Sequence, residues 1–395
     1  MQNNIYRPNE DMYIRGGNGG ENGSPKKKFN QKYVIFAIVL IAIIGIAWFF
    51  SNKSKNDKQG KLIQVENNGN SSNPQVLNEG NVSPISGLAC DNWNRRPIAV
   101  MQPSDEPARP AAGFSDADMV IEMPVITASI TRLMGVYICG NPEEIGSMRS
   151  SRHDFIHLAK GLDAIYVNWG GSAYAKEKLN EGVIENINCN DDGGKSASKC
   201  CFRKEGMSRG VDSGYAKFDK LLQCSEEFGY RMEGKFAGYP HQAEASESER
   251  PEGGNLRVGF AGVYGVNYEY DKKTNSYLRF WGGEEDYDRN NKKRHAPKNV
   301  VVVMAVSDQI VEGEQYNNVQ LGDPWYDTTD SGEAYYYMNG KEIKGTWKKN
   351  KAKIDSKLTF LDSNGSEIKF VPGQIWLEIL EPGQGLKWVP AGSGN

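Results

Sequence analysis

No cysteine precedes Cys90, only four histidines occur in 395 residues, no segment repeats itself, and the formal net charge is −3. Each shortage excludes something. Without a basic surplus there is no broad field to draw the chain onto nucleic acid. Without a Cys-x-x-Cys pair the commonest zinc spacing is missing, and neighbours such as Cys200 and Cys201 rarely both hold one tetrahedral ion. Ser172 lacks the closing glycine of a Gly-x-Ser-x-Gly elbow, and only His241 and His295 lie downstream as bases, which argues against a serine hydrolase.

What is present is an ordinary globular composition, 38% hydrophobic and 25% charged, in a chain long enough for two domains. Tyr33 to Phe50 carries no charge, and at about 1.5 Å per residue it reaches roughly 27 Å, close to the hydrocarbon thickness of a bilayer. It begins 32 residues in and ends in Trp-Phe-Phe rather than a small-x-small cleavage site, so a retained signal-anchor is expected. Lys26, Lys27, Lys28 and Lys32 before the run, against Lys53, Lys55 and Lys58 after it, favour an inside N-terminus. The reading is a single-pass membrane protein: a disordered cytoplasmic tail over 1–32, a transmembrane helix over 33–50, a flexible linker over 51–88, and extracytoplasmic domains.

Six cysteines, Cys90, Cys139, Cys189, Cys200, Cys201 and Cys224, suit export, where they form up to three bridges in any of 15 connectivities. Four of them surround the polar stretch 190–199, which reads as a stapled insertion. From Pro97 short apolar strands alternate with helices: strands at 97–101, 119–121, 133–139 and 164–168, and helices at 152–160, after Ser172, and at 215–228. That pattern predicts an α/β domain with a partly parallel sheet over 89–250. Beyond the polar linker 241–255 the character is β, with Val300–Met304 as a buried strand and Asn339-Gly340 and Asn364-Gly365 as hairpin turns. A mainly antiparallel β domain is expected over 251–395, making the whole α+β and α/β. Trp347, Phe360, Phe370 and Trp376 are expected to pack rather than to form a sugar platform.

The most informative stretch runs from Ile130 to Arg152. Ser151 and Asp154 have capping-box spacing, so Arg149 and Arg152 flank a helix start that already favours anions. Gly170, Gly171 and Ser172 open the next helix, and Arg132 lies at the start of the preceding strand. Together Arg132, Arg149, Ser151, Arg152, Gly170, Gly171 and Ser172 form a candidate anion site on one sheet edge. The plainer alternative pairs the arginines with Glu143, Glu144 or Asp154 and leaves Gly-Gly-Ser as a capped turn. His153 and His157, spaced i and i+4, could grip a metal, but no third ligand is evident in the sequence. No metal site is expected, and no cofactor is indicated.

Arg96-Pro-Ile-Ala-Val-Met101, Ala108-Arg-Pro110, Ala117-Asp118, Glu122, Ile130-Thr-Arg132, Arg149-Ser150, Arg152 and Gly170-Gly-Ser172 together resemble the YerB-like lipoprotein family of bacteria. Asn299-Val-Val-Val302, Gly345-Thr-Trp-Lys348, Asp362, Gly365 and Pro372-Gly373 are similar to that family's second domain. The resemblance implies two domains in the cell envelope and no defined reaction. This chain departs from it in three places. It has no anchoring cysteine near its start, Thr127-Ala-Ser129 stands where the family has Glu-Gly-Gly, and Glu284-Glu285-Asp286 replaces a histidine-bearing motif. Three functions remain open: an accessory protein binding an anionic or glycan wall ligand; an enzyme acting on lipid-linked phosphate or wall glycan, with Asp118 or Glu122 as metal ligand or base; and a dock for another envelope protein.

Overall fold

The computed structural model describes residues 80–126, 129–190, 199–207, 210–311 and 316–392. The expected tail, membrane helix and most of the linker lie outside the described residues, as does most of the stretch 190–199.

Five strands are apolar on both faces and almost wholly buried: Ile98–Pro103, Met119–Pro124, Thr131–Tyr137, Asn299–Met304 and Ile375–Leu380. Such strands need a cover on each side, and they form the centre of one ten-stranded mixed sheet. Its order across is Thr359–Asp362, Lys341–Lys348, Ser331–Met338, Asn299–Met304, Ile375–Leu380, Met119–Pro124, Thr131–Tyr137, Ile98–Pro103, Ile165–Asn168 and Asn186–Asn188. The partly parallel character expected of the first segment is present, since Ile98–Pro103 runs parallel to Ile165–Asn168 and that strand parallel to Asn186–Asn188.

The sheet does not stop where the sequence suggests a boundary. Ile375–Leu380 lies parallel to Met119–Pro124, with Ile375 opposite Met119 and Glu378 opposite Glu122. It also runs parallel to Asn299–Met304, so the second segment is less purely antiparallel than expected. The stretch 241–255 packs as well: Gln242 N donates to Phe370 O at 2.9 Å, and Ser246 with Glu249 closes a capping box.

Helices His153–Gly161 and Ala173–Asn180 cover one face, where Phe155, Ile156 and Ala175 share a core with Met101, Met134 and Leu377. An antiparallel five-stranded sheet, ordered Glu284–Glu285, Ser276–Trp281, Val266–Asp271, Gly254–Gly259 and Gly385–Pro390, covers the other. Gly254–Gly259 and Val266–Asp271 alternate cleanly, so Leu256, Val258, Tyr268 and Tyr270 point into a core with Val120, Val300 and Trp376. Each fully buried aliphatic side chain contributes about 1.5–3 kcal/mol. Trp347, Phe360, Phe370 and Trp376 are all core residues, as the packing reading expects.

Asn339 and Gly340, both at positive φ (51° and 69°), turn Ser331–Met338 into Lys341–Lys348, the hairpin their sequence predicts. The cysteines pair as Cys90–Cys139, Cys189–Cys201 and Cys200–Cys224. Adjacent Cys200 and Cys201 thus bridge in different directions, one to the helix Phe218–Glu227 and the other to the end of the sheet.

Candidate functional site

Three of the arginines singled out in the sequence converge at the carboxyl edge of the parallel strands. Thr131–Tyr137 is antiparallel to Ile98–Pro103, so Arg132 at its start sits opposite Pro103 at that strand's end. From there Arg132 Nη1 donates to Ser150 O at 2.7 Å. Arg152 Nη1 donates to Ser151 O at 2.9 Å, and its guanidinium lies 4.8 Å from the centre of the Tyr316 ring. Arg149 reaches Asp105 Oδ2 at 3.0 Å and stands 3.9 Å from Asp212 Oδ1. Among the described residues Arg132 and Arg152 make no ion pair, and the buried Nε atoms of Arg149 and Arg152 have no acceptor. Burial, and then the like charges of Arg152 and Arg149, push the Arg132 pKa well below its ordinary value. Arg152 is lowered as well, by burial first. The plainer pairing with Glu144 does not occur, because that carboxylate takes Lys204.

The helix starts divide. Ser172 caps Ala173–Asn180, its Oγ accepting from Ala175 N at 3.2 Å. The Ser151–Asp154 capping box does not form. Arg152 is the N-cap, Ser151 N donates to Gly170 O at 2.8 Å, Ser151 Oγ lies 2.9 Å from Tyr166 Oη, and Asp154 Oδ1 accepts from Val319 N at 2.8 Å. A parallel bridge between Ser151 and Gly171 occupies both the N–H and the C=O of Ser151. Ser151, Gly170 and Gly171 therefore shape the site, and the charge belongs to the arginines.

Asp118 and Glu122 are committed elsewhere. Asp118 accepts from Ser86 Oγ at 2.6 Å and from the main-chain N–H groups of Ile138 and Cys139 at 2.7 and 3.0 Å. Glu122 is fully buried and bonded to Arg279, with Thr131 Oγ1 at 2.6 Å on its other oxygen. Arg279, also fully buried, bonds Asp286 too and stands 3.9 Å from Glu378. The charges balance if Arg279 and Arg109 face Glu122 and Asp286 while Glu378 keeps its proton. Burial opposes a charged Arg279, yet Tyr268, Glu122, Asp286 and Glu378 raise its pKa well above the ordinary value. Burial alone would raise Asp286, but Arg109, His295 and Arg279 hold it below the carboxylate range. Glu378 is pushed up to about 8 by burial and by Glu122.

An acid whose folded pKa is raised favours folding while it holds its proton, and that contribution is lost as pH rises through the folded value. Stability to urea should therefore fall from about pH 4.5 to about pH 8 and level off above it, and Glu378→Gln, which keeps the acceptor for Tyr268, should flatten the fall. An equally steep fall in the variant would remove Glu378 as its source.

The network opens on a cleft of about 830 Å³ lined by Arg109, Trp281, Glu106, Glu284, Glu285 and Asp286, among others. Arg109 bonds Asp286 at 2.8 Å and lies 4.1 Å over the Trp281 ring. The turn 104–110 joins this cleft to the arginines, because Asp105 takes Arg149 on one oxygen and Tyr264 Oη, at 2.9 Å, on the other. Asp105 and Arg279 escape a reading of the sequence, and Arg109 and Asp286 enter it only through the family resemblance, because Arg109 meets Asp286 and Arg279 meets Glu122 across more than 150 residues. His157 is buried with neither ring nitrogen bonded. His153 turns from it toward Asn318, Asp154 and Asp323.

Known proteins resemble the chain over most of its length. The family model described as "Protein of unknown function (DUF3048) N-terminal domain" matches residues 85–231, and the model of the corresponding C-terminal domain matches residues 256–377. A Bacillus subtilis (strain 168) protein named "Putative lipoprotein YerB" is 29% identical over 308 residues, which is 75% of this chain and 86% of that protein. The crystal structure of the YerB protein from Bacillus subtilis superposes with a TM-score of 0.66 at 27% identity, covering 78% of this chain and 99% of that one. The single-pass reading of Tyr33–Phe50, a run outside the described residues, is corrected by the relative, which is named as a lipoprotein. Both matched segments, in their order along the chain, place this protein in the DUF3048 family, a two-domain family of unknown function.

Proposed function

We propose that this protein is an accessory factor of the cell envelope that holds an anionic wall ligand, a phosphate- or carboxylate-bearing glycan, at Arg132, Arg149 and Arg152. One observation carries the reading: three largely buried guanidiniums share one edge of the sheet, and two of them make no ion pair among the described residues. Desolvated positive charge of that kind is costly alone and is relieved by an anion. Planar guanidiniums match phosphate and carboxylate oxygens two at a time. The lipoprotein relative and the three disulfides support an envelope setting.

The enzymatic alternative placed a metal or base at Asp118 or Glu122. Both carboxylates are satisfied inside the fold, so nothing in their surroundings favours it.

Titration with a phosphate-bearing wall polymer, and with pyrophosphate as a small probe, tests the reading. Arg149→Ala/Arg152→Ala should bind at least about tenfold more weakly, as expected for the loss of charge-assisted hydrogen bonds. Wild-type affinity should also fall as salt is raised. Unchanged affinity in a folded double variant would overturn the proposal.

A further inference from the structure

Helix His153–Gly161 begins beneath the segment 316–327, and at their junction the chain buries more acid than base. His153, Asp154 and Asp323 are 1%, 1% and 0% exposed, and a donor atom from each lies within 4.8 Å of the others. His153 Nε2 stands 3.3 Å from Asp154 Oδ1 and 3.9 Å from Asp323 Oδ2. Independently of that proximity, Asp154 Oδ2 and Asp323 Oδ2 are buried and have no hydrogen-bond donor among the described residues. A buried carboxylate oxygen left without a donor is expensive. Lys349 does not relieve it, because its ammonium is bound to Ile354 O at 3.2 Å and Ser356 Oγ at 3.1 Å. Asn318 has its amide fixed by donation to Asp327 Oδ1 at 2.8 Å, which leaves its Oδ1 facing His153 Nε2 at 2.9 Å.

We propose that His153 Nε2, the carboxylates of Asp154 and Asp323, and Asn318 Oδ1 hold a first-row divalent cation of the Zn²⁺ or Mn²⁺ class. Ligand atoms about 2.1 Å from a tetrahedral ion stand roughly 3.4 Å apart, so Nε2 already has the spacing to Asp154 at 3.3 Å and needs shifts of about 0.5 Å, closer to Asp323 from 3.9 Å and away from Asn318 from 2.9 Å. One imidazole nitrogen among oxygens suits these ions, whereas Ca²⁺ and Mg²⁺ take oxygen shells. On binding, the neutral His153 ring changes tautomer: the proton it otherwise donates from Nε2 to Asn318 moves to Nδ1, and the Nε2 lone pair turns to the ion. The donors come from the first turn of the helix and from 318–323, so the cation clamps that segment to the helix beside Arg152. Its burial makes it a structural ion.

The test uses full-length protein stripped with EDTA and titrated with Zn²⁺ or Mn²⁺, followed by metal analysis and thermal unfolding. One equivalent should be retained after desalting, and Tm should rise by about 5 °C at saturation. Asp323→Asn, which preserves volume and the acceptor for Trp325 and Tyr326 N–H, should lose both effects, as should His153→Gln. No retained metal and no shift in the wild-type chain would overturn the site. So would equal uptake by His153→Gln, which marks binding elsewhere, and a response to Ca²⁺ alone would overturn the assigned cation class. Should Asp323→Asn fail to fold, the wild-type titration and His153→Gln decide.

Discussion

Replacing Arg279 by Met should cost the fold about 3–5 kcal/mol, because it leaves Glu122 buried without a cation and Asp286 with Arg109 alone. Arg279 is fully buried, and it bonds both Glu122 on the ten-stranded sheet and Asp286 at the edge of the five-stranded one. Its guanidinium also lies 4.5 Å from the centre of the Trp376 ring, an attraction that grows when water is excluded. Met fills much of the aliphatic volume, so the loss is electrostatic rather than a cavity. That distinction can be measured. Adding Glu122→Gln to Arg279→Met should recover much of the urea midpoint, since Asp286 keeps Arg109 and no buried charge is left uncompensated. If the single variant unfolds at the wild-type midpoint, this network does not hold the two sheets together. If the double variant is no better than the single one, the cost lies in packing.

The second large effect belongs to a covalent link. Cys90–Cys139 closes 49 residues, against 24 for Cys200–Cys224 and 12 for Cys189–Cys201. In the chain-entropy account its removal costs about 4 kcal/mol, compared with about 3 kcal/mol for the shortest loop. It fastens the turn around Ser83–Cys90 to the end of Thr131–Tyr137, where Asp118 already gathers Ser86 and the N–H groups of Ile138 and Cys139. Cys90→Ser/Cys139→Ser should therefore lower Tm more than Cys189→Ser/Cys201→Ser does. Cys90 and Cys139 are also less buried than the other four, so a mild reductant should open that bridge first. The reverse order in either experiment would contradict the account.

These predictions mark what local pattern can and cannot reveal. The strands at 98–103, 119–124 and 299–304 are legible because unbroken apolar runs have few other places to go. The Asn339-Gly340 hairpin is legible because its turn chemistry is local. The junction of Ile375–Leu380 with Met119–Pro124 is not, since nothing in either run says which of several buried strands it will meet. The same division holds at the site. Arg132, Arg149 and Arg152 could be gathered from the strand-to-helix order, and Ser172 is the cap its sequence suggests. Ser151 fails as a cap because its Oγ turns to Tyr166 Oη and its N–H to Gly170 O, both reached only after the intervening helix. Glu122 reads as a free acid until Arg279, 157 residues away, is brought against it. His153 and His157 look like a pair by helical spacing, yet the neighbours of His153 are Asp323 and Asn318, which the fold alone supplies.

The central claim is that the arginine edge is built to receive an anion. Crystals soaked in tungstate or phosphate test it most directly. The account predicts anion density within hydrogen-bonding distance of at least two of the guanidiniums of Arg132, Arg149 and Arg152, abolished in Arg149→Ala/Arg152→Ala. Anions bound elsewhere while that edge stays bare would contradict it.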